Sequence, residues 1–303
     1  VPRCRASRIR RQQMDTPECV WNAHARLGEG PLWSVREQAL YWVDILGYRL
    51  HRYSPGDGQR TWQFDQEISA VAERAETNEL LITQRNQFAI FNPVTEELKP
   101  LLQVETDIPS NRFNDGKCDR LGRFWAGTMD FACEKCTGSL YRLNPDLICT
   151  RIDSGYAVTN GPAWSSDYRT LYHNDSVNGR VYAFDFDLAS GEVSNKRLFL
   201  QFSEEEGSPD GMTTDAEGGL WIAHWGTSKV TRHDGEGKLL RTIHLPCSQV
   251  SSCAFGGPDL TTLYITTAAD GLSEQQLEQE PLAGGLFAVD IDIPGVPANH
   301  FRG

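Results

Sequence analysis

The sequence predicts an all-β fold, a six-bladed β-propeller, on three observations. A strand-like motif recurs six times along the 303 residues. Each copy is followed by a second alternating strand. No long apolar period of 3.6 residues interrupts the series. The motif opens on leucine or phenylalanine, runs through aromatic and β-forming residues, and ends in a polar turn. Its copies lie at 40–44, 80–83, 124–128, 171–175, 220–223 and 263–267, so successive starts are 40 to 49 residues apart.

The second strands follow at 49–53, 88–91, 139–143, 181–184, 229–232 and 285–289. Turn chemistry separates the strands: Asp57-Gly58, Asn144-Pro145-Asp146, Asn178-Gly179 and Glu217-Gly218-Gly219. One helical turn is expected, at 273–278, with Ser273 as its cap. Six units of this length, each worth three or four short strands, match a propeller. A sandwich or barrel would not explain the recurrence.

Composition excludes other classes. Apolar residues make up 39% and charged residues 23%, which rules out bulk disorder and collagen-like repeats. The 29 basic residues face 41 acidic ones, a net charge of −12 that argues against a nucleic-acid partner. No apolar run approaches the ~20 residues of a membrane-spanning helix. Residues 1–13 hold five arginines and no acid, and read as an extension outside the folded domain at 14–303. An organellar transit peptide or a nucleic-acid arm would fit them; an over-long gene start is the plainer reading. They contain no apolar leader, so the expected location is cytoplasmic.

The eight cysteines are then expected to be reduced, since a chain of this size needs no disulfide staples. Cys133-Glu134-Lys135-Cys136 is a C-x-x-C pair. Without two further ligands at defined spacing it reads as a solvent-facing loop rather than a zinc or redox centre. No G-x-S-x-G elbow and no glycine-rich phosphate loop is present. His173 and His224 fall on the repeat motif and read as packed residues.

In a propeller, functional residues should sit at equivalent places in different repeats. Ten or eleven residues before each repeat start stand Glu29, Ser69, Asn114, Asn160, Asp210 and Ser252. Two carboxylates and two carboxamides thus share one phase, each within two residues of a glycine that lets the backbone turn sharply. Any one of these dipeptides alone is an ordinary turn former. Together they form a set of hard oxygen donors on the central axis. Such a set suits Ca²⁺, Mg²⁺ or Mn²⁺, and Zn²⁺ or Fe²⁺ less typically.

Four segments carry a family resemblance: Gly28-Glu29-Gly30-Pro31, Asn111-Arg112-Phe113-Asn114-Asp115-Gly116-Lys117, Asn160-Gly161-Pro162 and Pro209-Asp210-Gly211-Met212. Over residues 17–292 the chain resembles the gluconolactonase/regucalcin (senescence marker protein) family, and its later part looks closest to bacterial sugar-acid lactonases. The resemblance implies one catalytic divalent metal on the axis, with Glu29, Asn160 and Asp210 as ligands. It implies that Arg112 and Asn114 contact a sugar lactone. Animal members use a further glutamate in the loop after Gly-Thr-Met; here that loop is shorter and offers Asp130 or Glu134 instead. The expected activity is opening of a glucono-, xylono- or arabinonolactone by a monomer, with Asp210 also orienting the attacking water. The alternative is a calcium-binding, non-catalytic protein on the same scaffold.

Overall fold

A computed structural model describes residues 16–303. The basic extension at 1–13 lies outside the described residues. Six four-stranded antiparallel sheets, blades I to VI, follow one another around a ring. They span residues 28–63, 68–103, 111–156, 159–201, 208–244 and 250–290. All six repeat motifs form the second strand of a blade. The innermost strands precede them: Gly28–Ser34, Ile68–Glu73, Asn111–Cys118, Thr159–Trp164, Ser208–Thr214 and Val250–Gly256.

Blade VI takes its outer strand from the other end of the chain. Glu18–Trp21 pairs antiparallel with Leu286–Asp290, matching Glu18 to Ala288 and Cys19 to Phe287. That exchange ties the first and last blades together and closes the ring.

Burial explains the sequence pattern. The second strands Ala39–Asp44 and Phe124–Asp130 are buried on both faces, whereas the outer strand Gly58–Gln63 keeps only Trp62 buried. Apolar side chains gather in six clusters among the described residues, and each cluster fills the wedge between two neighbouring blades. Phe88, Phe113 and Phe124 close blade II on blade III; Trp33, Trp42 and Tyr264 close blade VI on blade I. Burying side chains of this size stabilises by about 1.5–3 kcal/mol each.

Two blades satisfy a buried indole in the same way. Trp125 Nε1 donates to Asp119 Oδ2 at 2.9 Å, and Trp221 Nε1 donates to Asp215 Oδ2 at 2.7 Å. Arg123 and Arg232 neutralise those carboxylates at 2.5 and 2.6 Å. Each aspartate also accepts backbone N–H groups of its own turn, so one residue shapes the hairpin and pairs the tryptophan. His173 and His224 are buried packing residues, as expected: His173 meets the Tyr156 ring edge-on, and His224 Nε2 lies 2.7 Å from Thr231 Oγ1.

The helical turn forms at Glu274–Gln279. Ser273 accepts the Gln276 N–H at 3.3 Å, and the Gln276 side chain takes the Ser273 N–H at 3.0 Å. Residues 294–303 then run across the end of the ring where the innermost strands finish. Pro294 O accepts from Ala216 N, Asn299 Nδ2 donates to Cys118 O, and Phe301 N donates to Glu73 O at 2.8 Å. Phe301 is fully buried. Among the described residues no helix is long and apolar enough to cross a membrane.

One irregularity positions the site. Every innermost strand slips register against its neighbour: after Glu29, Ile68, Phe113, Asn160, Pro209 and Val250. A bulge breaks the alternation of faces and re-aims side chains. Glycine permits it at Gly161, whose φ is 78° and where a Cβ would strike the Met212 side chain.

Candidate functional site

The starts of the innermost strands surround a cavity of about 310 Å³. Glu29, Asn114, Asn160 and Asp210 line it together, with Arg112 beside them. All five are at least nine-tenths buried. The two serines at the same repeat phase do not take part. Ser69 Oγ pairs with Thr83 Oγ1 at 2.8 Å, and Ser252 packs against Gly211, where no Cβ would fit.

Hydrogen bonds fix the cluster from behind. Asn114 Nδ2 donates to Thr159 O at 2.7 Å and to Asn160 Oδ1 at 3.0 Å. Asn160 Nδ2 is taken by Ser176 Oγ at 2.9 Å. Glu29 Oε2 accepts the Gly30 N–H at 2.9 Å. Asn174 Nδ2 donates to the Asp210 carbonyl at 2.6 Å. Arg112 Nη1 donates to Asn114 Oδ1 at 2.7 Å and to Phe113 O at 2.9 Å, while its buried Nε has no protein partner. Its guanidinium carbon lies 5.5 Å from the centre of the Phe131 ring.

Electrostatics marks the same spot. The Glu29 carboxyl is pushed well above the ordinary carboxylate range, first by burial and then by the charges of Asp210 and Asp115. Asp210 is also pushed well above its ordinary value, again by burial first and then by Asp115. Burial raises Asp115 too, with Lys117 and the N–H groups of Gly116 and Gly161 acting against it. Carboxylates held together in this way require a proton or a cation.

The donor set fits a hard divalent ion. Glu29 and Asp210 would offer carboxylate oxygen and Asn160 its amide oxygen, the amide nitrogen being committed to Ser176. Among the described residues no three Asp, Glu, His or Cys side chains converge as a metal cluster. An ion held here would need the carboxamide as a third donor.

Two expected residues lie elsewhere. Asp130 is buried but does not line the cavity; its carboxylate accepts the N–H groups of Glu134 at 3.2 Å and Lys135 at 3.4 Å. Glu134 is exposed. The loop 131–137 instead presents Phe131 and Cys133 to the cavity, because Asp130 holds its turn from inside. The C-x-x-C pair is thus exposed as expected, yet one of its members faces the site.

Sequence reasoning missed further residues. Asp115 is buried and accepts the Gly161 N–H at 3.0 Å, linking blade III to blade IV beside Asn160. Leu46, Phe131, Ser176, Val177, Trp225 and Asp270 form the rim. All six lie at or just after the end of a second strand, a common phase that could have been read from the repeat.

Residues 27–269 match the family described as SMP-30/Gluconolactonase/LRE-like region. The chain belongs to the SMP-30/gluconolactonase family. Regucalcin of Gallus gallus is 38% identical over 94% of this chain and 98% of its own length. YvrE of Bacillus subtilis (strain 168), provisionally named a sugar lactone lactonase, is 37% identical over 93% and 97%. Among solved structures, a calcium-binding regucalcin from Agrobacterium tumefaciens superposes with a TM-score of 0.90 at 27% identity, covering 94% of this chain and 97% of that one. A luciferin-regenerating enzyme superposes with a TM-score of 0.89 at 31% identity, covering 95% and 99%. The SMP-30/gluconolactonase family, as these names state, contains both lactone hydrolases and a calcium-binding protein.

Proposed function

We propose that this protein is a metal-dependent sugar lactonase, which opens a glucono-, xylono- or arabinonolactone to its hydroxy acid. One observation carries the reading. Glu29, Asn160 and Asp210 converge at the floor of a cavity whose wall carries the buried cation Arg112. A divalent ion held by those three residues would polarise the lactone carbonyl as a Lewis acid.

The protein's own groups supply the remaining steps. Burial pulls the Arg112 guanidinium below its ordinary value, but arginine remains a cation, and its free Nε is a donor for a ring hydroxyl or the carbonyl oxygen. Asn114 holds Arg112 with its oxygen and Asn160 with its nitrogen, so it aligns the wall with the floor. Asp210 orients a water and takes its proton as the water oxygen bonds to the carbonyl carbon. The ester C–O bond then breaks, and the ring oxygen leaves with that proton. Phe131 and Trp225 shelter the reacting ester at the rim.

The test is lactone hydrolysis followed by a pH indicator. Protein stripped with a chelator is resupplied with Ca²⁺, Mn²⁺, Zn²⁺, Mg²⁺ or Fe²⁺ and given glucono-, xylono-, arabinono- and galactonolactone. Metal-restored turnover above spontaneous opening supports the enzyme. Cation binding by a folded protein that opens none of these lactones points instead to the calcium-binding alternative.

A further inference from the structure

Nothing in the proposed reaction uses the thiols of the loop 131–137, although that loop forms part of the cavity rim. Cys133 and Cys136 are the two exposed cysteines among the described residues. Cys118, Cys247 and Cys253 are buried, and Cys19 and Cys149 are half-buried. Two residues separate the exposed pair, the spacing that lets one turn join two sulfurs. The loop ends are anchored to the blade: Phe131 N donates to Ser110 O at 2.8 Å at one end, and at the other Asn111 Nδ2 donates to Thr137 O at 3.1 Å and Thr137 Oγ1 to Asn111 Oδ1 at 2.7 Å. A change between 133 and 136 is therefore not absorbed by sliding of the ends. It reaches the cavity through Cys133, which lines it, and Phe131, whose ring lies 5.5 Å from Arg112 and 5.8 Å from Arg85.

We propose that Cys133 and Cys136 form a redox-responsive pair, joined by peroxide into a disulfide that alters the rim and weakens lactone binding. The regulatory half of this proposal rests on the lactonase reading. The reaction balances with two thiols and one hydrogen peroxide. One sulfur takes an oxygen as the O–O bond breaks, giving a sulfenic acid and a first water. The second sulfur displaces that oxygen, the S–S bond forms, and a second water leaves. The thiols lose two electrons and the peroxide gains them. The bond then holds the two Cβ atoms at about 3.8 Å, which stiffens the turn beside Phe131.

The experiment uses the full chain loaded with metal. It is treated with hydrogen peroxide, alkylated without reductant and digested with trypsin. Lys135 stands between the cysteines, so the tryptic peptides 124–135 and 136–142 stay joined only through a disulfide. The joined pair is expected to accumulate and to separate on adding dithiothreitol. Lactone KM is expected to rise several-fold with it and to recover with it. Recovery by a thiol separates this effect from sulfoxidation of Met129, which a thiol reverses only with its own enzyme. Cys136→Ser, outside the cavity, should keep basal activity, form no joined peptides and ignore peroxide. Separate, fully alkylated peptides after peroxide would overturn the pair. Joined peptides with unchanged KM would overturn the regulation. Joined peptides in a protein that opens no lactone would overturn the functional reading and leave the disulfide established.

Discussion

The floor and the rim of the cavity are built by different means. The floor consists of innermost strands stitched across blade boundaries, Asn114 to Thr159 and Asn160 and Asp115 to Gly161, with Asn174 of a second strand tied to Asp210. Each of its polar side chains is held by partners in a packed sheet. The rim consists of loops between second and third strands, where Phe131 is 41% and Val177 55% exposed. Packed strands therefore hold the polar groups, and exposed loops border the opening. Substitutions should sort accordingly. Floor changes act on metal and turnover, rim changes on KM alone.

The largest effect is expected from Asp210→Asn. It keeps the size of the side chain and its backbone contacts but removes one of two floor charges. Turnover in saturating metal should fall by more than about a hundredfold, beyond the 10–100-fold typical of losing a residue behind a metal ligand. Indicator-monitored hydrolysis checks it, with circular dichroism confirming the fold. Unchanged turnover and metal content would break the division between floor and rim. Asn114→Ala comes next and tests their junction. It unties Arg112 and Asn160 together, so KM should rise about tenfold, roughly the 1.4 kcal/mol of one charged hydrogen bond. Arg112→Lys keeps the charge and should raise KM less.

A third test turns on stability. Glu29 and Asp210 take up protons more readily folded than unfolded, because burial raises both, with repulsion from Asp210 and Asp115 added at Glu29 and from Asp115 at Asp210. In metal-free protein the folded state therefore binds more protons once pH passes the ordinary carboxylate range. Stability is fully present below that range and declines as pH rises toward the raised folded values. A bound divalent ion should remove the decline. Glu29→Gln should remove part of it without metal, raising metal-free stability above neutral pH by about 1–3 kcal/mol while weakening metal binding. Melting temperatures with chelator and with Ca²⁺, compared at acidic and alkaline pH, read both effects. Buried His51, His173, His224 and His233 are held below their ordinary values and slope the other way, so the comparison with Glu29→Gln decides: a metal-free variant with the same pH slope as the parent would show that the floor carries no such repulsion.

The same contrast explains what was legible in the sequence. The second strands stood out because burial on both faces demands apolar and aromatic runs such as Leu40-Tyr41-Trp42-Val43. The floor followed by counting back from them, since one bulged strand start recurs in every blade. Asp115 escaped for a physical reason. A regular strand would point it away from Asn114, and only the register slip between Phe113 and Gly116 lets both serve the axis. The rim was less legible still. Acidic character suggested Asp130 and Glu134, but a loop's sequence does not tell which residues pin its turn and which face inward. Asp130 pins; Phe131 and Cys133 face inward.

The smallest effect sharpens that last point. Phe131 touches the site through its ring, near Arg112 and partly open to solvent. A cation–π contact of this exposure contributes about 0.5–1 kcal/mol. Phe131→Ala should therefore raise lactone KM by only about two- to fivefold. It should leave kcat and calcium affinity unchanged, because Glu29, Asn160 and Asp210 receive no support from the loop. Isothermal titration with Ca²⁺ and steady-state kinetics on the same preparation separate the two quantities. If calcium affinity fell with KM, the rim would be holding the floor in place. The blade-to-blade hydrogen bonds would then be insufficient to orient the ligands, and substrate choice and metal binding would be one property of the cavity rather than two.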